Sequence, residues 1–230
     1  MNLLLVLITT VITVSAYVFS RLLNKRYPSP LVNVVFLSTA LIVAVFWISG
    51  VTVSQYQDTK TILTYFLGPT TVALAIPLYR NREILKQNIL PVLGGIVVGT
   101  TANIITTALV AEFLGLDKLI VTSLVPKSVT VPIAVSVSSI LNGDPTLTSV
   151  FVIATGMIGT FLTPVLLNLF KVTNPLVRGL AYGTTAHGQG TASALAEGTI
   201  QGSMSGVAMG IAAIYMSVAA PFLVNHLLNL

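Results

Sequence analysis

Charge is the scarcest commodity in this sequence. Lys and Arg number 11 and Asp and Glu 6, so that only 7% of the chain is charged while 54% is hydrophobic. A soluble domain carries about 25% charged residues, because polar side chains must cover its surface. This chain lacks the material to do so, which excludes an ordinary soluble fold. Cysteine is absent altogether, which removes disulfides, thiolate nucleophiles and thiolate metal sites and leaves the redox compartment unread. Histidine occurs twice, and the second copy, His226, lies in the C-terminal tail, so no metal site is expected. There is no Walker loop, dinucleotide fingerprint, serine-hydrolase elbow or zincin motif, and no cofactor or enzymatic activity is expected. The net charge of +5 sits in short clusters between apolar runs, as juxtamembrane anchors do. With no zinc-finger, helix-turn-helix or RNP pattern, a nucleic-acid partner is not expected.

What fills the chain instead is a series of apolar runs. A membrane-crossing helix needs roughly 20 mostly apolar residues. Such runs lie at 3–20, 31–49, 61–79, 89–111, 147–170 and 203–223. The first has its charges (Arg21, Lys25, Arg26) after the apolar run rather than before it, so it reads as a retained membrane helix and not a cleaved signal. Trp47 and Tyr56 suit an interfacial belt. Pro69 and Pro77 are placed to kink the third run. Glycines at 94, 95 and 99, at 156 and 159, and at 202, 206 and 210 offer small-residue faces for helix packing. The expected fold is therefore an all-α polytopic membrane protein, one transmembrane domain over residues 1–230.

Two stretches fit continuous helices badly. Residues 118–141, KLIVTSLVPKSVTVPIAVSVSSIL, hold a lysine and two prolines in their middle; residues 175–200 hold five glycines, a histidine and a glutamate. Unpaired backbone cannot face lipid, so non-helical backbone at membrane depth must be buried in protein or line a wet cavity. Paired discontinuous helices near mid-membrane are the usual build of a secondary transporter. Basic residues mark cytoplasmic loops: Arg21, Lys25 and Arg26 after the first run and Arg80, Arg82 and Lys86 after the third agree, with the N-terminus outside. Lys171 and Arg178 join them on that side only if residues 118–141 enter and return. Two re-entrant hairpins from opposite faces, an inverted pseudo-symmetric core, follow from that reading; two broken helices that cross fully are the alternative. A faint echo, LGPTTV at 67–72 against LVPKSV at 124–129, with Gly99-Thr100 against Gly159-Thr160, has offsets of 57 and 60 residues. Chance similarity between apolar segments explains it equally well.

Lys127 is the sharpest chemical candidate. A buried, unpaired ammonium costs several kcal/mol and needs an anion, a cavity or a lost proton. Pro126 and Pro132 mark the helix break around it, and Ser128 and Thr130 add hydroxyls; a helix starting there would offer free N–H groups to an anion. Lys127 has three readings: contact with a small carboxylate substrate, a structural pair with Glu197, or snorkelling to an interface. His187 stands among Gly183, Gly188 and Gly190, which permit close backbone approach and unusual dihedrals, and can titrate near neutral pH. Gln189, Thr184, Thr185 and Thr191 are its polar neighbours. Glu197 offers proton coupling or neutralises Lys127 or Arg178, and Arg178 is equally an ordinary anchor. Asn103, with Thr100 and Thr101, either lines the cavity or bonds across helices.

The segments LGPTTVALAIPLY (67–79), VPKSVTVPIA (125–134) and RGLAYGTTAHGQGTASALAEG (178–198) together resemble the LrgB/CidB family of bacterial membrane proteins, which is also similar to the C-terminal half of the plant plastidial glycolate/glycerate transporter. The resemblance covers nearly the whole chain and implies a multi-pass protein of the bacterial inner membrane. It carries two functional stories. One is transport of small monocarboxylates such as glycolate, glycerate, pyruvate or lactate, with proton coupling through His187 or Glu197 left open. The other is an antiholin-like regulatory subunit that modulates murein hydrolase export and cell lysis with a small holin-like partner of the LrgA/CidA type. The family's lysine, serine, threonine, histidine and final acid fall on Lys127, Ser128, Thr130, His187 and Glu197. Val131, Ser193 and Gln189 depart from its common pattern, and the lost positive charge at Ser193 bears on substrate size and charge. The carrier reading is preferred, since a buried lysine at a helix break suits a carrier of a small anion. The glycine-rich faces also suit a homodimer.

Overall fold

A computed structural model describes residues 3–27, 34–66, 69, 79 and 82–228. All regular structure among them is helical. Four helices are long and apolar enough to cross a membrane: Leu3–Arg26, Ile89–Phe113, Pro145–Leu169 and Thr199–Leu227. The protein is a multi-pass membrane helical bundle. The chain divides into two compact units, residues 1–73 and 74–230.

The first unit holds α1 (Leu3–Arg26), α2 (Val34–Ser49) and α3 (Val53–Tyr65). Both α2 and α3 pack on α1. Thr52 caps α3 in a reciprocal box with Gln55, which satisfies backbone donors left open by the helix start. The α1–α3 contact is polar at its centre: the hydroxyls of Thr9 and Thr59 lie 2.6 Å apart, and those of Thr13 and Tyr56 3.2 Å. Tyr56 also sets its ring edge-on to Phe46 at 5.1 Å. It is thus engaged inside the unit, whereas Trp47 is exposed, as a belt residue would be. The third apolar run differs from expectation: the helix starts at Val53 and ends at Tyr65. Most of the LGPTTVALAIPLY segment, Pro77 and the first copy of the internal echo lie outside the described residues.

The second unit begins with the short α4 (Arg82–Gln87) and the long α5 (Ile89–Phe113). A tight turn, closed by Gly115 N–H to Glu112 O and Leu116 N–H to Ala111 O, leads into α6 (Lys118–Leu124). A 3-10 turn at Val125–Ser128 follows, then the extended residues Val129 and Thr130, then α7 (Val131–Ile140). Pro126 and Pro132 each stand in the first turn of the element they open, where a missing N–H costs nothing. The path through this stretch reverses. Asp144 N–H donates to Ser123 Oγ at 2.7 Å, although 21 residues separate them. The long α8 (Pro145–Leu169) begins beside that contact, capped by Asp144.

Helix α9 (Pro175–Glu197) contains the second break, at Ala186 (φ −123°, ψ 15°) and His187 (φ 42°, ψ −131°). Here too the chain turns back. Arg178 and Glu197 form an ion pair at 2.8 Å, whereas 19 residues of straight helix would hold them about 28 Å apart. The unit closes with α10 (Thr199–Leu228). The core runs through Ile104, Ala108, Val121, Val125, Val137, Val152, Met216 and Val224, contributed by α5 to α8 and α10 and the turn between α6 and α7.

The glycines of the second break do not themselves take the unusual dihedrals; His187 does. They serve close packing. A Cβ on Gly183 would collide with the carbonyl oxygen of Ser205 and stand 2.8 Å from the Ala208 Cβ, and one on Gly190 would strike the Tyr182 carbonyl. Gly156 and Gly159 of α8 clear space for the break: a Cβ there would lie 2.8 Å from His187 Cε1 and 2.6 Å from the Ala186 Cβ. Gly94, Gly99, Gly206 and Gly210 meet nothing within 4 Å among the described residues. Gly183→Val should therefore cost about 1–3 kcal/mol or more through overpacking against fixed backbone, read as a fall in Tm of the detergent-solubilised protein. Gly188→Ala, whose Cβ would meet only Met209 Sδ at 3.9 Å, should leave Tm nearly unchanged.

Candidate functional site

The two breaks are brought together. The 3-10 turn bearing Lys127 touches α5, α8 and α9, and the tip of α9 rests on the middle of α8, where His187 Nε2 lies 3.1 Å from the Val152 carbonyl.

Lys127 points at α5. Its Nζ donates to Asn103 Oδ1 at 3.0 Å and to the Thr107 hydroxyl, which itself donates to Asn103 Oδ1 at 3.2 Å. Both partners are neutral oxygens, and no carboxylate pairs with Lys127 among the described residues. Lys127 lines an open cavity of about 290 Å³. Of the two sequence readings of Asn103, lining the cavity or bonding across helices, the contact present is the bond to Lys127 from the neighbouring segment. Thr107 was missed; the available signal was its spacing, since residues four apart on a helix share a face.

The pairing of Lys127 with Glu197, one sequence-based alternative, is not what the structure has. Glu197 takes both Nε and Nη2 of Arg178 at 2.8 Å each, and Tyr182 donates its hydroxyl to the same carboxylate. Arg178 Nη1 reaches back to Asn168 Oδ1 at 2.9 Å and the Val172 carbonyl at 3.0 Å. Tyr182 and Asn168 were not legible as members of this clasp, because the sequence spreads the four groups over 168–197. The clasp closes the open end of the α9 hairpin. Beside it Lys171, Arg178 and Gln201 line a wide cavity of about 550 Å³.

At the tip, His187 is buried and takes a positive φ, which a side chain with a Cβ adopts only under constraint. Thr191 donates to the His187 carbonyl at 2.9 Å and shares a hydrogen bond with Ser205, also 2.9 Å. Its place is in holding the hairpin to α10. Thr184 and Thr185 likewise bond to carbonyls one turn back. The buried Ser128 Oγ, Gln189 Oε1 and Thr100 Oγ1 have no hydrogen-bond partner among the described residues. Gln189 packs over Gly156. Thr130 precedes α7 and gives its carbonyl to Ala134 N–H at 2.9 Å. Thr101 bonds across helices to Tyr215 at 2.8 Å. Among the described residues no cluster of His, Asp and Glu has metal-binding geometry.

Residues 13–226 match the profile of the LrgB-like family. The chain belongs to that family. It is 36% identical over 221 residues to an uncharacterised protein of Bacillus subtilis (strain 168), YwbG, covering 96% of this chain and 98% of the relative. To a second uncharacterised B. subtilis protein, YxaC, it is 36% identical over 218 residues, 95% of each chain. To the holin-like protein CidB of Staphylococcus aureus (strain N315) it is 32% identical, again over 95% of each. Neither the family description nor these names is that of an enzyme. No solved structure matches the chain. The match spans both breaks, Lys127 and the Arg178–Glu197 clasp.

Two outcomes follow from this geometry. Glu197→Gln leaves Arg178, whose side chain is only 12% exposed, without its carboxylate. That should cost about 1–3 kcal/mol, and a double-mutant cycle with Arg178→Gln in thermal unfolding should return most of it as coupling. At the tip, His187→Gly relieves the positive φ while His187→Ala keeps it; the glycine variant should have the higher Tm, by about 1 kcal/mol equivalent.

Proposed function

We propose that this protein carries a small monocarboxylate anion across the membrane, of the glycolate, glycerate, pyruvate or lactate type, and that Lys127 is its anion contact. One observation carries this reading: among the described residues Lys127 has two neutral partners and a cavity, and no carboxylate. An ammonium in an apolar bundle needs a counter-charge, and an incoming anion supplies one.

The architecture we infer is a pair of re-entrant hairpins entering from opposite faces. Two contacts support it: Arg178 with Glu197 joins the two ends of the second broken segment, and Asp144, just past the end of the first, lies against Ser123 immediately before that segment's turn. The charge pattern supports it too. With the first hairpin returning, only α5 and α8 cross between Lys86 and Lys171. Arg82, Lys86, Lys171 and Arg178 then share one side, the cytoplasmic side by the bias of basic loops. Lys171 and Arg178 at the second hairpin's mouth would draw anions toward the pathway. Ser128, Gln189 and Thr130 are its further polar contacts near the meeting of the hairpins. His187 is the group for proton coupling in this scheme. Glu197, tied to Arg178, is a charge pair holding the hairpin.

A second reading is carried by the relatives, and on their names alone it is the better supported. CidB is called holin-like, which favours an antiholin-like regulatory subunit working with a small LrgA/CidA-type membrane partner. The two readings separate in proteoliposomes containing this chain alone. With labelled glycolate, pyruvate and lactate, and with and without a proton gradient, the carrier reading expects uptake that Lys127→Gln lowers at least about ten-fold, the scale of losing one charged contact. Folded protein that moves none of the three acids alone, but does so or alters permeability when a small holin-like partner is added, decides for the subunit.

A further inference from the structure

Helices α5, α7 and α8 end in the same turn. In each, one residue donates its N–H three residues back and the next donates five back: Gly115 to Glu112 and Leu116 to Ala111, Asn142 to Ser139 and Gly143 to Ser138, Lys171 to Asn168 and Val172 to Leu167. The turn needs a left-handed residue, and glycine or asparagine is usual there. Gly115 (φ 70°) and Asn142 (φ 58°) conform; Lys171 (φ 54°) does not. A lysine held there against its backbone preference points to a use for its side chain.

Lys171 lines the wide cavity of about 550 Å³ beside the Arg178–Glu197 clasp, together with Asn168, Thr173, Arg178 and Gln201. No carboxylate pairs with it among the described residues. Arg178 is neutralised by Glu197, and four of its five N–H groups are taken. The cavity therefore carries one uncompensated positive charge. Asn168, whose Oδ1 already accepts from Arg178, turns its amide protons to use beside it, and the Gln201 amide and Thr173 hydroxyl are further donors. One cation among several neutral donors suits the oxygens of a phosphate. The level in the membrane is set as well. Helix α8 is long enough to cross, and Lys171 stands two residues past its last, Leu169. Leu166, Leu169 and Phe170 at that end are 44%, 70% and 73% exposed, an apolar flank leading up to the charge. In a bilayer this is where acyl chains give way to headgroups, and basic pockets between helices hold anionic ones there.

We propose that this cavity binds the headgroup phosphate of an anionic phospholipid with one net negative charge, Lys171 being its counter-charge and the acyl chains lying along Leu166, Leu169 and Phe170. A soluble phosphate ester has the same polar chemistry but no use for the apolar flank. The inference goes beyond the carrier reading and does not rest on it. It holds for a carrier, in which headgroup and incoming anion compete for Lys171, and for a regulatory subunit alike.

The test is thermal stabilisation of the purified full chain in a non-ionic detergent at fixed ionic strength, since a ligand of the folded state raises Tm. The probes are short-chain phosphatidylglycerol, phosphatidylcholine of the same chain length, glycerol 3-phosphate and inorganic phosphate. Phosphatidylglycerol should raise Tm and the other three should not. Lys171→Gly should raise the Tm of the lipid-free protein by relieving the positive φ, yet lower the apparent affinity for phosphatidylglycerol at least about five-fold. Loss of binding is then not loss of fold. Lys171→Arg keeps the charge and should keep the shift, as should Lys25→Gln, which removes an exposed cation at the end of α1. Inorganic phosphate or glycerol 3-phosphate acting as strongly as phosphatidylglycerol would overturn the lipid in favour of a soluble phosphate. Phosphatidylcholine acting equally would overturn the charge match. No shift with phosphatidylglycerol, or one that Lys171→Gly leaves intact, would overturn the site.

Discussion

The Arg178–Glu197 ion pair decides the path of the chain more than any other contact. Two groups 19 residues apart meet at 2.8 Å only if the helix between them breaks and comes back. Everything at the tip follows. His187 must take a positive φ to turn the backbone. Gly156 and Gly159 must be bare so that α8 can receive the turn, and Gly183 must be bare so that the incoming arm can lie on α10. The clasp also resolves a charge problem. A guanidinium 12% exposed in an apolar bundle is costly alone, and here a carboxylate, an amide and a backbone carbonyl take its donors.

Because Glu197 is committed there, it is not available to Lys127. The sequence left that choice open: Lys127, Arg178 and Glu197 permit either pairing. The structure spends the only carboxylate of these segments on Arg178 and gives Lys127 two neutral oxygens. The consequence is an imbalance of one positive charge beside the cavity.

Much of this was legible from residue order. Four of the six long apolar runs fall on the four helices long enough to cross a membrane among the described residues, with ends that agree at Ile89 and differ by up to six residues elsewhere, because hydrocarbon thickness sets their length. The prolines of VPKSVTVP locate the first break because proline supplies no N–H to a continuing helix. The second break was harder. Gly183, Gly188 and Gly190 allowed either close approach or unusual dihedrals, and sequence does not separate the two; the turn falls on Ala186 and His187, and Gly183 and Gly190 serve close approach. Thr107, Tyr182 and Asn168 stayed hidden for a related reason. Each is an ordinary helix residue whose role exists only once a distant segment folds against it.

The two broken segments are alike in path and unlike in chemistry. The first carries its charge at the turn, where Lys127 faces α5 and a cavity. The second carries its charges at the mouth and leaves its tip to a histidine and a glutamine. That division is physically sensible. A mobile anion that met a fixed cation at both turns would be held too firmly to leave, since release requires that the site not bind too strongly. In the proposed carrier, one cation at one turn, with neutral polar groups at the other, would let a small anion be held and then handed on.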